Sequence, residues 1–343
     1  MTKPALAKWC LVILLAAFSG RSEAAESQKE NPYKHLVDIG GGRHLNMACT
    51  GTGSPTVVFM QGLGSDMLAW RRVKDPVAGF TRACFYDRAG FGYSDPSPKP
   101  STADNVANDL HALLRAAKIK GRVVLVAHSL GGLFATYYTD KFGSDVAGLV
   151  LVDPSFSGQF DYAVGAQDIK MMEEGAKSFP GTMQTCRKLA EEGKLSKGDP
   201  HDCFAPPLGD LTQQQADYVM DQVTRPSYYT GILSESDSLS GAMEDGKFTD
   251  GVGGREERRI ARDFGDLPLI VLTGHLMSKE MTISDAGKAS AQEVWERGHD
   301  KLARRSTRGE SIVIANSGHA IQMQQPERVV DAIRKVVMQA RQR

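Results

Sequence analysis

The chain has 343 residues, with Lys+Arg and Asp+Glu equal at 41 each, so its formal net charge is zero. That balance argues against a nucleic-acid partner, which needs a basic face. The length allows one large domain, or one domain with a sizeable insertion, around a single large core.

The first residues read as an address. Lys3 and Lys8 precede an apolar run over residues 9–18, and Ser22-Glu23-Ala24 offers small residues where a signal peptidase cuts. Residues 1–24 are therefore expected to be a secretory signal peptide removed after Ala24. The run is too short to span a bilayer, so no stable membrane insertion is expected after cleavage. Cys10 lies at the start of the run rather than just after it, so no lipid anchor is expected. Of five cysteines, Cys49, Cys84, Cys186 and Cys203 remain, an even number in a chain bound for the periplasm or beyond. Three pairings of those four are open at this point.

Residues 25–33 are polar and carry no pattern. Residues 35–39 and 43–50 read as strands around Gly40-Gly41-Gly42, a hairpin signal with no following helix that could make it a nucleotide loop. Residues 56–60 form a short apolar strand that runs into Gln61-Gly62-Leu63-Gly64, and a helical pattern follows over 68–80. A strand over 81–86 ends in the long turn from Asp87 to Pro96. A helix is expected from Ser101 to about Ala117.

The next stretch organises the rest. The apolar run 123–127 is too short for a helix. It leads through His128-Ser129-Leu130-Gly131-Gly132 into an amphipathic helical pattern at Leu130, Leu133, Phe134, Tyr137 and Tyr138. A strand turning sharply into a helix leaves Ser129 at the tip. Ala127 and Gly131 fill the two small-residue slots of the nucleophile elbow G-x-S-x-G, where strand and helix nearly touch. Ala in the first slot adds only a methyl group. The blander alternative is a serine that merely caps a helix.

Residues 146–152 form another strand, ending at Asp153-Pro154. Strand–helix alternation to this point implies an α/β fold, a mostly parallel sheet with helices on both faces. The alternation then stops. Residues 155–265 show only helical and loop patterns, with candidate helices at 166–179, 183–192, 211–224, 227–236 and 255–264. They are expected to form an inserted helical cap, with the core built from 25–154 and 266–343. Cys186 and Cys203 flank a loop rich in Gly, Asp and Pro inside the cap, which a bridge between them would hold. The sheet resumes at 267–273. A helix is expected within 285–304, a last strand at 311–315, then Ser317-Gly318-His319-Ala320, and an amphipathic helix over 325–339 with Pro326 in its first turn.

A serine hydroxyl needs a base, and the base needs an orienting carboxylate. Open α/β sheets hold their ligands beyond the C-terminal ends of their strands. His319 and Asp153 both follow strands. Gln61-Gly62-Leu63-Gly64, the Asp87-to-Pro96 turn, His128-Ser129-Leu130-Gly131-Gly132, and Gly318-His319 followed by Pro326-Glu327 together resemble the α/β-hydrolase fold family. The likeness is to its serine-hydrolase, esterase- and lipase-like members, in the family's order over nearly all of residues 35–340.

That resemblance implies Ser129 as nucleophile, His319 as general base and Asp153 as acid. It also implies the backbone N–H groups of Leu63 and Leu130 as oxyanion donors. The acid has rivals. Many relatives carry it after the next-to-last strand, where this chain has Met277, with Glu280 late and Asp285 later still. Among the eight histidines, His275 follows a strand and is the alternative base, while strand alternation turns His128 away from the serine. Gln61 stands where the family usually has His, a change that spares the backbone donor. The Asp87-to-Ser94 turn is read as scaffold near the pocket. The resemblance also places the second and fourth strands side by side, which favours Cys49 with Cys84.

No metal or nucleotide motif is present, so no cofactor is expected, and a serine in the nucleophile slot counts against relatives that attack through a carboxylate. The expected function is cofactor-independent hydrolysis of a small-molecule carboxylic ester, with activity falling as pH drops through the ordinary histidine range, about 6 to 7. A peptidase of the proline-aminopeptidase type on the same fold would need cap acids such as Glu173, Glu174, Asp217 or Asp221 to hold an amine. A binding protein that kept the fold and lost catalysis is the third reading. Oligomeric state leaves no mark in the sequence.

Overall fold

Runs of apolar residues too short for helices become strands covered on both faces. In Val57–Met60, Ala83–Tyr86, Val123–His128 and Val146–Val152 every residue is buried. The computed structural model describes residues 31–195, 203, 210–260, 262–275 and 281–342. Among these, no helix is long and apolar enough to cross a membrane. The expected signal peptide lies outside them.

The strands and helices up to the elbow are β1 (Leu36–Gly40), β2 (Arg43–Thr50), β3 (Val57–Met60), α1 (Arg71–Ala78), β4 (Ala83–Tyr86), α2 (Ala103–Ala116) and β5 (Val123–His128). Then come α3 (Leu130–Lys141), β6 (Val146–Val152), α4 (Ala166–Glu191), α5 (Gln213–Val223), α6 (Pro226–Leu239), β7 (Ser240–Glu244), β8 (Lys247–Asp250) and α7 (Val252–Glu257). The chain closes with β9 (Leu269–Gly274), α8 (Asp285–Ala303), β10 (Gly309–Ile314), α9 (Ile321–Gln324) and α10 (Pro326–Arg341).

Eight strands form one sheet in the order β1-β2-β4-β3-β5-β6-β9-β10. The first two pairings, β1–β2 and β2–β4, are antiparallel, and the rest are parallel. Strand alternation splits the core in two. Val124, Val126, Val150 and Ile270 face α1 and α10, whereas Leu125, Ala127, Leu149 and Val271 face α2, α3 and α8. The parallel strands point their C-terminal ends the same way, so the loops after β3, β5, β6, β9 and β10 gather at one edge.

The described residues between β6 and β9 are mostly helical, with three differences from expectation. The helices expected at 166–179 and 183–192 are one helix, α4, which runs through Pro180. Proline removes one backbone N–H, but the turns on both sides keep theirs. The helix expected at 255–264 stops at Glu257. The third difference is a hairpin, β7–β8, where no strand was expected. Its turn is Asp245-Gly246, both at positive φ (50° and 80°), which is the Asp-Gly pattern of tight hairpins. The flanking strands are short and polar, so they lack the apolar alternation that marks a strand.

Segment and sheet are tied together by polar contacts. The Gln222 amide of α5 donates to Asp66, and its oxygen accepts from the Gly92 N–H at 2.8 Å. Ser234 of α6 accepts from the Ser101 N–H at 2.7 Å.

Two disulfides join Cys49 to Cys84 and Cys186 to Cys203, the pairings expected. Cys49 and Cys84 are directly opposed in the β2–β4 ladder. Cys186 lies in α4 and ties Cys203 back to it. Replacing Cys49 and Cys84 together by alanine is expected to lower the unfolding free energy by about 2–4 kcal/mol. Urea titration measures this, and an unchanged midpoint would contradict a working cross-link.

Candidate active site

The turn at Ser129 follows from lack of room. β5 ends at His128 and α3 begins at Leu130, so one residue reverses the chain. Ser129 adopts φ 53° and ψ −126°, a left-handed conformation that a side chain rarely takes. Contacts on both sides hold it there. Its N–H donates to the Val152 carbonyl at 3.2 Å, and its carbonyl accepts from the N–H groups of Gly132 and Ser155 at 2.8 and 2.9 Å. A Cβ at Gly131 would lie 2.5 Å from the Gln61 carbonyl oxygen, so glycine is required there. A Cβ at Gly62 would lie 3.1 Å from the Ser129 Cβ, which brings the loop after β3 against the serine.

His319 reaches Ser129 from the loop after β10. Its Nε2 lies 2.9 Å from Ser129 Oγ, and its Nδ1 lies 2.6 Å from Asp153 Oδ2. An ionised carboxylate only accepts, so Nδ1 carries the proton and the Nε2 lone pair faces the serine hydroxyl. The loop is fixed by the Gln324 side-chain oxygen, which accepts from the Gly318 N–H at 2.6 Å and the Ser317 hydroxyl at 3.0 Å.

Asp153 follows β6 and is fully buried, also at positive φ (44°). Its other oxygen accepts from the Gly274 N–H at 2.7 Å and from Trp295 Nε1 at 2.8 Å. Burial works against the charge. The hydrogen bond from His319 and the attraction of the His319 and His299 imidazoles outweigh it, and the carboxyl is held below its ordinary value. The neighbouring Pro154 carbonyl accepts from His299 Nε2 at 2.8 Å, and His299 Nδ1 accepts from the Thr273 hydroxyl at 2.8 Å.

Asp285 and His275 lie elsewhere. Asp285 is fully exposed at the start of α8 and pairs with Lys288. His275 is half exposed and faces Glu296. Glu280 and the Met277 slot lie outside the described residues. Of the acids between β6 and β9, Asp221 accepts from the Tyr93 hydroxyl at 3.0 Å and Asp217 from the Gln213 amide at 3.1 Å. His128 turns to the α1–α10 side of the sheet, as alternation requires, but it has a partner the sequence does not announce. Its Nε2 donates to the His319 carbonyl at 3.0 Å, under the loop that carries the imidazole. Burial first, and the nearby His319 second, push its pKa down to about 3, so it stays neutral.

Trp295 is the residue that sequence reasoning missed. It sits on the apolar stripe of α8, where nothing separates an indole that donates to a carboxylate from one that only packs. Leu130 opens α3, where the first N–H groups have no intrahelical acceptor. Leu63 lies in the loop that crosses Ser129.

A cavity of about 300 Å³ opens over Ser129 and His319. Phe160, Tyr162, Leu239, Met281 and Trp295 give it an apolar wall, and its described lining includes no carboxylate, ammonium or guanidinium side chain. Among the described residues, no group of three His, Cys, Asp or Glu side chains could hold a metal ion.

The comparisons with known proteins agree with this architecture. An uncharacterized Bacillus subtilis protein, YqjL, is 30% identical over 145 residues, covering 40% of this chain and 57% of the relative. The chain thus spans little more than half the length of that relative, and 18% of an uncharacterized Schizosaccharomyces pombe protein. A thermophilic esterase from Thermogutta terrifontis superposes with a TM-score of 0.54 at 20% identity, covering 90% of this chain and 98% of the other. A meta-cleavage product hydrolase from Pseudomonas fluorescens IP01 gives 0.55 at 18% identity, covering 89% and 98%. At such identities the likeness is one of fold. The model of the alpha/beta hydrolase family matches residues 57–332, a span that takes in every strand from β3 to β10 with Ser129, Asp153 and His319, and the chain belongs to that family.

Proposed function

We propose that this protein is a serine hydrolase of uncharged carboxylic esters. The carrying observation is the unbroken contact chain from Ser129 through His319 to Asp153 beneath an apolar cavity. Ser129 Oγ attacks the ester carbonyl carbon while His319 Nε2 takes its proton. The Leu63 and Leu130 N–H groups receive the oxyanion. Collapse of the tetrahedral intermediate expels the alkoxide, which takes the proton from His319, and leaves an acyl-serine. Water then attacks that ester with His319 again as base, and the carboxylic acid departs. Asp153 keeps the tautomer and stabilises the imidazolium.

The absence of a carboxylate from the described cavity lining favours a neutral substrate over an aminopeptidase substrate, whose ammonium group would need a counter-charge. The volume lies at the low end for ligand pockets, which favours short or medium acyl groups. The test is hydrolysis of p-nitrophenyl esters from acetyl to palmitoyl across pH. Butyryl or hexanoyl esters are expected to exceed palmitoyl. Ser129→Ala is expected to lose activity by about 10⁴-fold or more, and Asp153→Asn by about 10³- to 10⁴-fold.

The pH dependence follows from the direction of the Asp153 shift. A carboxyl held below its ordinary value stays charged at neutral and mildly acidic pH, and its stabilising charge is lost only as pH falls through that lowered value. A loss of activity between about pH 8 and about pH 5 is therefore not a loss of the Asp153 charge and points to the general base instead. A profile flat over that interval, or a fully active Ser129→Ala, would contradict the mechanism.

We also propose that the protein acts outside the cytoplasm. The apolar run behind Lys3 and Lys8 and the two disulfides support this. Cell fractionation with N-terminal sequencing is expected to find mature chains beginning at Ala25. Full-length chain confined to the cytoplasm would contradict it.

A further inference from the structure

Arg88 and Glu235 form a buried ion pair beside the loop after β3. Arg88 follows β4 and is 3% exposed, and Glu235 lies on α6 and is 1% exposed at its side chain. Arg88 Nε donates to Glu235 Oε1 at 2.5 Å and its Nη2 donates to Oε2 at 2.9 Å, which is the forked geometry of a guanidinium on a carboxylate. Both groups also bond to one short piece of backbone. Arg88 Nη1 donates to the Gln61 carbonyl at 2.5 Å and Nη2 to the Gly62 carbonyl at 2.7 Å. Glu235 Oε2 accepts from the Gly64 N–H at 2.9 Å.

Three consecutive peptide planes are thereby pinned, and the middle one decides the chemistry. The Gly62 carbonyl and the Leu63 N–H belong to the same peptide. That peptide is trans, so the two groups point in opposite directions. With the Gly62 oxygen drawn toward Arg88, the Leu63 N–H faces away from the ion pair. Gly62 itself borders His128 and Ser129, where an added Cβ would come within 3.1 Å of the Ser129 Cβ, so the loop runs alongside the serine. Glycines at 62 and 64 leave this backbone soft, and an external clamp supplies the rigidity that an oxyanion donor needs.

We propose that Arg88 and Glu235 are positioning residues that hold the Leu63 N–H toward the developing oxyanion, with α6 supplying one half of the clamp. The proposal rests on the ester-hydrolase reading of Ser129. It separates two outcomes that a structural ion pair would not, because loosening a donor used only in the transition state lowers kcat and leaves KM in place.

The test compares wild type, Arg88→Lys and the double variant Arg88→Met with Glu235→Gln. The double variant leaves no unpaired buried charge and keeps an amide oxygen for the Gly64 N–H. Lysine keeps the charge but loses the fork. Active serine is titrated with a fluorophosphonate so that kcat refers to competent sites alone, and butaneboronic acid serves as the tetrahedral analogue.

Per titrated serine, kcat is expected to fall about 10- to 100-fold in the double variant and less in Arg88→Lys. KM should stay within about twofold, with boronate affinity weakening in step with kcat. Wild-type kcat and boronate affinity in a folded double variant would overturn the clamp. So would a loss confined to melting temperature or titratable fraction. Should the double variant not fold, unchanged kcat and boronate affinity in Arg88→Lys overturn it alone. A wild-type protein that the titrant does not label sinks the ester reading and the clamp with it, which is distinct from labelled variants that match wild type.

Discussion

Everything at the site depends on how closely β5 and α3 approach the backbone of β3. A single residue, Ser129, reverses the chain between them at φ 53°. Such a conformation costs of order 1–3 kcal/mol and persists only where the surroundings dictate it. Here they do. Gly131 lies where any side chain would strike the Gln61 carbonyl, and the Ser129 backbone is bonded to Val152, Gly132 and Ser155. The serine hydroxyl is thus presented by strain that two layers of buried side chains, one on each face of the sheet, keep from relaxing.

The parallel sheet supplies the remaining groups without further design. Strands β6, β9 and β10 follow β5 in order across the sheet, so Gly274 and His319 both arrive within hydrogen-bond distance of Asp153. Each ring is then held in a defined protonation pattern. Asp153 sets the tautomer of His319, the His319 carbonyl sets that of His128, and the Pro154 carbonyl sets that of His299. The helical segment between β6 and β9 adds the apolar wall over this polar floor through Phe160, Tyr162 and Leu239. In the proposed reaction, an oxyanion formed beneath such a wall would gain from the low local dielectric.

Much of this was legible before any coordinates. Alternating strands and helices, the small residues around Ser129 and the placement of His319 and Asp153 after strands are local patterns with direct physical causes. Of the two cysteine pairings, one came from a loop that a bridge would hold and the other only from the strand adjacency that the family resemblance implies. What escaped was either short or three-dimensional. The hairpin at 240–250 has no apolar alternation to reveal it, although Asp245-Gly246 marks its turn. Pro180 reads as a break but sits inside α4. The choice among Asp153, Glu280 and Asp285 could not be made from spacing, because each follows a strand somewhere. The contact of Asp153 with His319 depends on the order of strands in the sheet, which brings the loops after β6 and β10 together across the end of β9. Trp295 at Asp153, and Arg88 with Glu235 at the loop after β3, join residues more than a hundred positions apart, and no one-dimensional pattern records such a meeting.

The most direct test of the proposed chemistry is covalent. Mature protein treated with a fluorophosphonate and digested for peptide mass spectrometry should carry a single phosphonyl adduct on the peptide containing Ser129. Ser129→Ala should carry none, and protein at a pH where imidazole is protonated should label slowly. Absence of any adduct on folded wild type, or an adduct on another serine with Ser129 untouched, would contradict a nucleophile at the β5–α3 turn.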